Sequence, residues 1–581
     1  MKKILLFKLI LIKRKHDKFV FRLERALGDG SFHAMHVYQK NKLLQRVEKV
    51  KLQLSRLESV LKYGSLAAVA AVSLNVSDAE AQMTAQGTEF RVNTYTTGNQ
   101  SPLDLNASVE DVENEVNKVS AMDANGNFVI TWQSLNQAGA SSGYDIYAQR
   151  YDAAGVAQGS EFLVNTFTTG KQYFPAVEMD ASGDFVIAWQ SLNQTTNSAY
   201  DIYAQRYNAS GIAQDNEFLV NTNTAGSQVS PVVAMDDLGN FIVGWSSPND
   251  VYFKRYNSAG VSQGAETLVN NYTTGSQQLT SAAMDATGDF VVVWQSYGQN
   301  GSFSNFDIYA KRYNSSGVAQ GTSFLVNTGR TYNTQSYASV DMDANGDFVI
   351  AWQSMNQLDY DGHYNLFAKK YDNAGTSLTT NEFLVNGFTN KKSVNTSVAM
   401  QDNGNFIISW VAVNVAATNS LNDVYVQRFN ASTAKLGTQF LVNTYTASNQ
   451  SVPCSAMNGL GNVVVTWASN AQDGSGFGMY AQRYFIGTPT TGILNSTNNA
   501  GNAFNCYPNP TKGILNISML NDLGETNILI SNSTGTIVFE DKQILTKDVS
   551  NLIDLSAFPA GIYIVQLISE NCIESKKIVI Q

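Results

Sequence analysis

Seven near-copies of one phrase set the pattern of apolar and polar positions along this chain. In the copy at 185–191, "FVIAWQS", Phe185, Ile187 and Trp189 fall on one face and Val186 and Ala188 on the other. A strand apolar on both faces is one buried on both sides. Three more runs accompany it in every copy: "PAVEMD" (175–180), "YDIYAQRYN" (200–208) and "EFLVN" (217–221). All are short, rich in Val, Ile, Tyr and Phe, and bounded by turn residues, which predicts strands. The seven tryptophans, Trp132, Trp189, Trp245, Trp294, Trp352, Trp410 and Trp467, recur at spacings of 57, 56, 49, 58, 58 and 57 residues.

Four antiparallel strands per unit, repeated seven times, predict an all-β fold, a seven-bladed β-propeller over 86–485. The two ends carry the closure. The chain enters with a lone "EFRVN" (89–93) before any Met or Trp run, and leaves after "MYAQRYF" (479–485) with no "FLVN" following. The segment 89–93 is therefore expected to pair with 479–485, which joins the ends and removes open edges. One indole per unit is expected to wedge the gap between blades. Its burial of ~150–250 Å² contributes up to ~4–6 kcal/mol at ~25 cal/mol/Å².

The other repeated residues read as framework. Gly126, Gly183, Gly239, Gly288, Gly346, Gly404 and Gly461 each close an Asp-x-x-Gly type hairpin, where glycine supplies a left-handed residue. A calcium loop is the alternative, but it has no twelfth-position Glu, and Gln401 and Asn458 replace the leading Asp. Arg150, Arg206, Arg255, Arg312, Arg428 and Arg483, with Lys370, recur one per unit. Sialidase propellers resemble this architecture and bind carboxylates with clustered arginines. Spread around a ring, these arginines are expected to be struts to a neighbouring carboxylate or carbonyl.

Specificity is expected where the units differ. The connections after each Trp run vary in length and content and share a face with the insert "SPLDLNASVEDVENEV" (101–116). That face is the expected binding surface. Candidate ligand-binding residues are Tyr297, Phe303, Asp359, Tyr360, Asp361, His363, Tyr364, Asp473 and Phe477, the aromatic ones as stacking platforms. Asp359 and Asp361 are also the candidate calcium ligands or an acid–base pair; no other cofactor is expected. Asp341 and Glu178 depart from the small residues that mostly precede the recurring Met, which makes them the remaining carboxylates for an enzyme reading.

Charge divides the chain. Residues 1–81 hold 16 Lys/Arg against 7 Asp/Glu, whereas 82–581 hold 22 against 41. The strongly acidic remainder excludes nucleic acid as the expected partner. A basic helical stretch, the apolar run "GSLAAVAAVSLNV" (64–76) and Ala79-Glu80-Ala81 fit a long leader cleaved after Ala81. A short N-terminal coiled coil is the rival. Of four histidines only His363 follows the leader, so no zinc-type cluster or multi-histidine mechanism is expected.

The repeat wording resembles the "EFxVNTxTxGxQ…FVVxWQS…DIYAQRYDAxG" arrays of large secreted bacterial surface proteins, which implies an adhesive or ligand-binding role. After a polar linker (486–503), "CYPNPTKGILNIS", "STGTIV", "PAGIYIVQL" and a terminal "KKIVI" closely resemble the type A C-terminal sorting domain of the type IX secretion system (504–581). That resemblance implies an immunoglobulin-like β-sandwich, the secretion machinery as partner, and a secreted or outer-membrane-surface location in a Gram-negative bacterium. Cys506 and Cys572 are outside its pattern and are candidates for a disulfide. Two functions follow: a binding or adhesion module for a glycan or protein, or a carbohydrate-active enzyme, hydrolase or lyase, of propeller type.

Overall fold

The computed structural model describes residues 83–486 apart from the loop segments 104–117, 141, 196–198, 302–304, 329–332, 359–362 and 416–420, together with most of 504–580. Every regular element among them is a strand. The leader, the linker and Cys572 lie outside the described residues.

Between Met83 and Ile486 the strands form seven antiparallel sheets of four or five strands, joined in sequence order. In the second sheet the order is Gln172–Met179, Phe185–Leu192, Tyr200–Tyr207 and Ala213–Leu219. The outer run is shorter than its sequence suggests. In five sheets it pairs over two residues, as in Phe162–Leu163 and Phe90–Arg91. The first strand of each sheet packs on that of the next, and Gln450–Met457 of the last packs on Ser120–Met122 of the first. The repeats therefore run in a circle around a central channel.

The seam closes with the N-terminal segment. Phe90 and Arg91 pair with Ala481 and Tyr480, and Met83–Ala85 extends the edge against Ile486–Tyr484. A buried cluster spans the join, with Val92, Phe128 and Trp132 against Val452, Cys454 and Met479.

All seven indoles are buried, at 0–1 % exposure. Each stacks on the tyrosine opposite it in the third strand, with ring centroids 6.0–6.5 Å apart; in the fifth sheet Trp352 instead faces Phe367. The glutamine that opens the first strand holds the indole N–H in three sheets: Trp245 to Gln228, Trp352 to Gln335 and Trp467 to Gln450, at 3.0–3.1 Å. A bonded N–H removes the cost of burying a donor. At the other end of the same strands Phe128, Phe185, Phe241, Phe290, Phe348 and Phe406 stack on the closing Tyr or Phe at 4.9–5.0 Å.

The C-terminal residues form two further antiparallel sheets, one of three strands and one of four. Alternate apolar residues of both, among them Phe504, Leu515, Ile517, Ile528, Ile530, Val565, Leu567 and Ile578, make one buried cluster, the arrangement of a two-sheet sandwich.

Candidate functional site

The repeated polar side chains are consumed by the frame. The asparagine of "FLVN" caps the start of the third strand: Asn165 Oδ1 accepts the Ile146 N–H at 2.7 Å, while its amide donates to Asp145 at 2.8 Å and to the Phe167 carbonyl at 3.1 Å. The Glu of "EFLVN" ties two sheets, Glu217 accepting the Thr166 N–H of the preceding sheet at 2.6 Å and the Gln194 amide of its own sheet at 2.7 Å. At the seam Glu89 makes the same two bonds, to Thr444 at 2.6 Å and Gln472 at 2.8 Å. The arginines are struts, Arg206 donating to the Ala259 and Ser258 carbonyls at 2.8 and 2.6 Å. The hairpin carboxylates close their own turns. Asp123 Oδ1 accepts the N–H groups of Asn125 and Asn127, both at 2.8 Å, and Gly126 adopts φ 90°. Among the described residues no group of His, Cys, Asp or Glu is arranged to hold a metal ion.

What departs from the repeat gathers in the channel. Lys118 Nζ lies 2.5 Å from Glu178 and 3.7 Å from Asp341. Asp341 sits across the ring, three sheets from Lys118 by the shorter path, so this lysine ties the channel walls together. The two distances keep the bonded carboxylate oxygens no more than about 6 Å apart, close enough for the paired-carboxyl chemistry of glycosidases to be weighed. Burial pushes the Glu178 carboxyl above its ordinary range, with Lys118 opposing and Asp341 adding to the rise. Burial alone would lower the Lys118 ammonium, but Asp341 and Glu178 together raise it well above the usual lysine range. Its side chain keeps 28 % exposure, so channel water still reaches it.

The group lines a cavity of ≈ 220 Å³ at the end of the channel that carries the Asp-x-x-Gly hairpins. Seven methionines ring it, Met122, Met179, Met235, Met284, Met342, Met400 and Met457, with the exposed Asp237 and Asp402 beside them. Although Asp237 reaches solvent, partial desolvation beside the channel raises its carboxyl, and the charge of Asp402 adds to the rise. The sequence singled out Glu178 and Asp341 but missed Lys118, Asp237 and Asp402. Each of these three replaces a small or apolar residue at its repeat position, and that was the available signal.

The predicted ligand residues that the structure describes lie toward the opposite ends of the strands. Tyr297 ends its strand at 48 % exposure, its ring edge-on to Phe306 at 5.4 Å. Half-buried Tyr364 carries the Lys392 ammonium 5.7 Å from its ring. His363 is half-buried beside it and its carbonyl accepts the Asn356 N–H at 3.0 Å. Asp473 accepts the Ser475 N–H at 3.1 Å within its own turn. Phe477 is 9 % exposed and packs in the seam cluster. It is a core residue because the last sheet turns its third strand toward the first, and this corrects its assignment as a stacking platform. Phe303, Asp359, Tyr360 and Asp361 lie outside the described residues.

A feature of the first strands was not legible. In six sheets this strand carries one extra residue, a bulge, near the end that faces the variable loops. Phe174, Ser230, Tyr337, Asn395 and Val452 stand there with φ of 50–56°. Left-handed backbone at non-glycine residues costs about 1–3 kcal/mol each and persists only where neighbours impose it. Here the glutamine of "WQS" in the preceding sheet imposes it, accepting the strained N–H: Gln133 from Phe174, Gln190 from Ser230, Gln295 from Tyr337 and Gln353 from Asn395, at 2.9–3.3 Å.

The family model described as "Secretion system C-terminal sorting domain" matches residues 505–581. No curated protein matches the chain in sequence. Among solved structures it is similar to a protein of unknown function from Dyadobacter fermentans (11 % identity, 69 % of this chain and 98 % of that one, TM-score 0.42). An ulvan lyase of a polysaccharide lyase family gives 11 % identity over 70 % and 96 %, with a TM-score of 0.41. The β-propeller domain of the Trilobed protease of Pyrococcus furiosus gives 8 % over 66 % and 99 %, with a TM-score of 0.38. The sorting domain marks a protein that is secreted or held at the outer-membrane surface and that interacts with the type IX secretion machinery. Ahead of that tail stands an all-β, propeller-like array of four-stranded antiparallel sheets.

Proposed function

We propose that residues 83–486 are a closed seven-bladed β-propeller serving as a non-catalytic binding and adhesion module, and that an immunoglobulin-like tail delivers it to the cell surface through the type IX route. The ligand is a glycan or a protein, and it meets the variable-loop face. One observation carries this reading: the repeated Asn, Glu, Gln and Arg side chains are engaged in bonds within and between sheets. Chemical variety is left to the loop face, where Tyr297, His363 and Tyr364 stand.

A second reading, a carbohydrate-active enzyme, draws on Glu178 and Asp341. They are close enough for paired-carboxyl chemistry, and one has a raised pKa. Against it, the Lys118 ammonium stands between them and holds both as counter-ions. Their cavity also opens at the hairpin end, away from the loops.

The exported chain should be screened on a glycan array and a panel of host and bacterial surface proteins, beside hydrolysis and lyase assays on the corresponding polysaccharides. Retention without turnover is the expected outcome. Turnover abolished by Glu178→Gln would establish the enzyme instead.

A further inference from the structure

The bulge in the first strands combines two properties that a purely structural device would not. Its backbone repeats: one extra residue in six sheets, left-handed in five of them, with the N–H held by a glutamine of the preceding sheet in four. Its side chains do not. The six positions are Phe174, Ser230, Leu279, Tyr337, Asn395 and Val452, no two alike. Flanking positions are near-invariant within the chain, with Gln two residues before in five of the six and Met five residues after in all. A strain that served packing alone would favour glycine, which adopts such φ freely. Retaining Phe, Tyr and Val there means that the side chain is wanted in the direction the bulge gives it.

The first strands border the channel, and the bulges lie toward their loop-side ends, opposite the methionine-ringed cavity. Phe174, Ser230 and Tyr337 remain partly exposed. Asn395 is 4 % exposed, and its Oδ1 has no hydrogen-bond partner. Phe174 packs on the same cluster as Val452, two sheets away, so residues from different sheets meet there. None of the six is charged.

We infer that this ring is the ligand-reading site, and that it takes the end of a neutral glycan, one sugar ring entering along the channel axis against Phe174 and Tyr337. The inference rests on the binding reading above and narrows it. Aromatic faces suit the C–H surface of a pyranose. The Ser230 hydroxyl and Asn395 amide suit its hydroxyl groups, and the lack of charge disfavours an ionic peptide. Placing varied side chains on a rigid, bonded strand also gives the site more precision than loops would.

The test uses the exported chain and neutral oligosaccharides of glucose, mannose and xylose, screened on an array, with the best binder then titrated in solution. Phe174→Ala and Tyr337→Ala should each weaken binding at least tenfold while the melting temperature stays within a few degrees of the parent. Ser230→Tyr, which narrows the mouth without removing packing, should do the same and covers the case in which Phe174→Ala fails to fold. Val261→Ala, exposed at the hairpin side, should bind as the parent does. Sugar binding that survives the three ring variants but is lost in Tyr297→Ala would overturn the inference and leave the loop-face reading standing. A protein ligand with no sugar bound would do so as well. Sugar turnover abolished by Glu178→Gln would overturn both.

Discussion

Replacing Lys118 with methionine removes the channel's cross-tie and leaves Glu178 and Asp341 facing each other without a counter-ion. At an effective dielectric constant near 20, the contacts to Glu178 and Asp341 correspond to about 7 and about 4 kcal/mol of gross attraction, most of which offsets desolvation. Breaking a buried pair from one side costs about 3–5 kcal/mol. Because channel water reaches this group, about 2–3 kcal/mol is expected here.

The penalty should depend on pH, with a definite sign. Burial already holds the Glu178 carboxyl above its ordinary range, and Lys118 opposes that rise. Without the lysine the folded-state pKa climbs further, at about 1.4 kcal/mol per unit. A carboxyl raised on folding destabilises the fold above its folded pKa, and the effect disappears below its unfolded value near 4.3. Lys118→Met should therefore lower the melting temperature of the exported chain by several degrees at pH 8 and progressively less toward pH 4.5. Adding Glu178→Gln should restore most of the loss at pH 8. A penalty equal at pH 8 and 4.5, with no recovery in the double variant, would refute the assignment of Lys118 as the counter-ion of this pair.

Three further outcomes are expected. Glu89→Ala removes the seam bonds to Thr444 and Gln472 and should cost about 2–4 kcal/mol, with faster amide exchange confined to 83–93 and its partner 480–486; Asp541→Ala, in the tail, should leave that exchange unchanged. Trp352→Phe keeps most of the apolar volume but removes the indole N–H bond to Gln335 and should cost about 2–4 kcal/mol in chemical denaturation. Burial pushes Tyr147, Tyr309 and Tyr480 up to about 12. Since these pKa values are raised on folding, the stability they contribute is whole below pH ~10 and lost as pH rises through 12. Phenolate absorbance should thus appear together with loss of the β-sheet signal, not before it.

Periodicity made the frame legible. Trp189, Met179 and Gly183 recur because every sheet solves the same packing problem, and "EFRVN" without a preceding unit announced the closure that Phe90 and Arg91 make. What failed to show was whatever depends on the ring itself. Lys118 and Asp341 are more than two hundred residues apart, and only circular packing brings them together. Phe477 reads as the end of a variable loop, yet it opens the third strand of the last sheet and the seam covers it. The bulges escaped because one extra residue does not disturb the apolar pattern of "QYFPAVEM", although it turns Phe174 out of register. The roles of Asn165 and Glu217 were hidden for a related reason: a hydrogen bond to the backbone of another strand leaves no mark on composition.

In the function proposed above, polar residues of the repeat are spent closing a ring, and the loop-side mouth of its channel is left to bind. A crystal structure of the exported chain with a bound neutral oligosaccharide tests it most directly. The predicted result is a sugar ring against Phe174 and Tyr337, with the Glu89 carboxylate on Thr444 and Gln472 at a closed seam. A sugar lodged between Glu178 and Asp341 with Lys118 displaced, or residues 83–91 detached from 480–486, would contradict it.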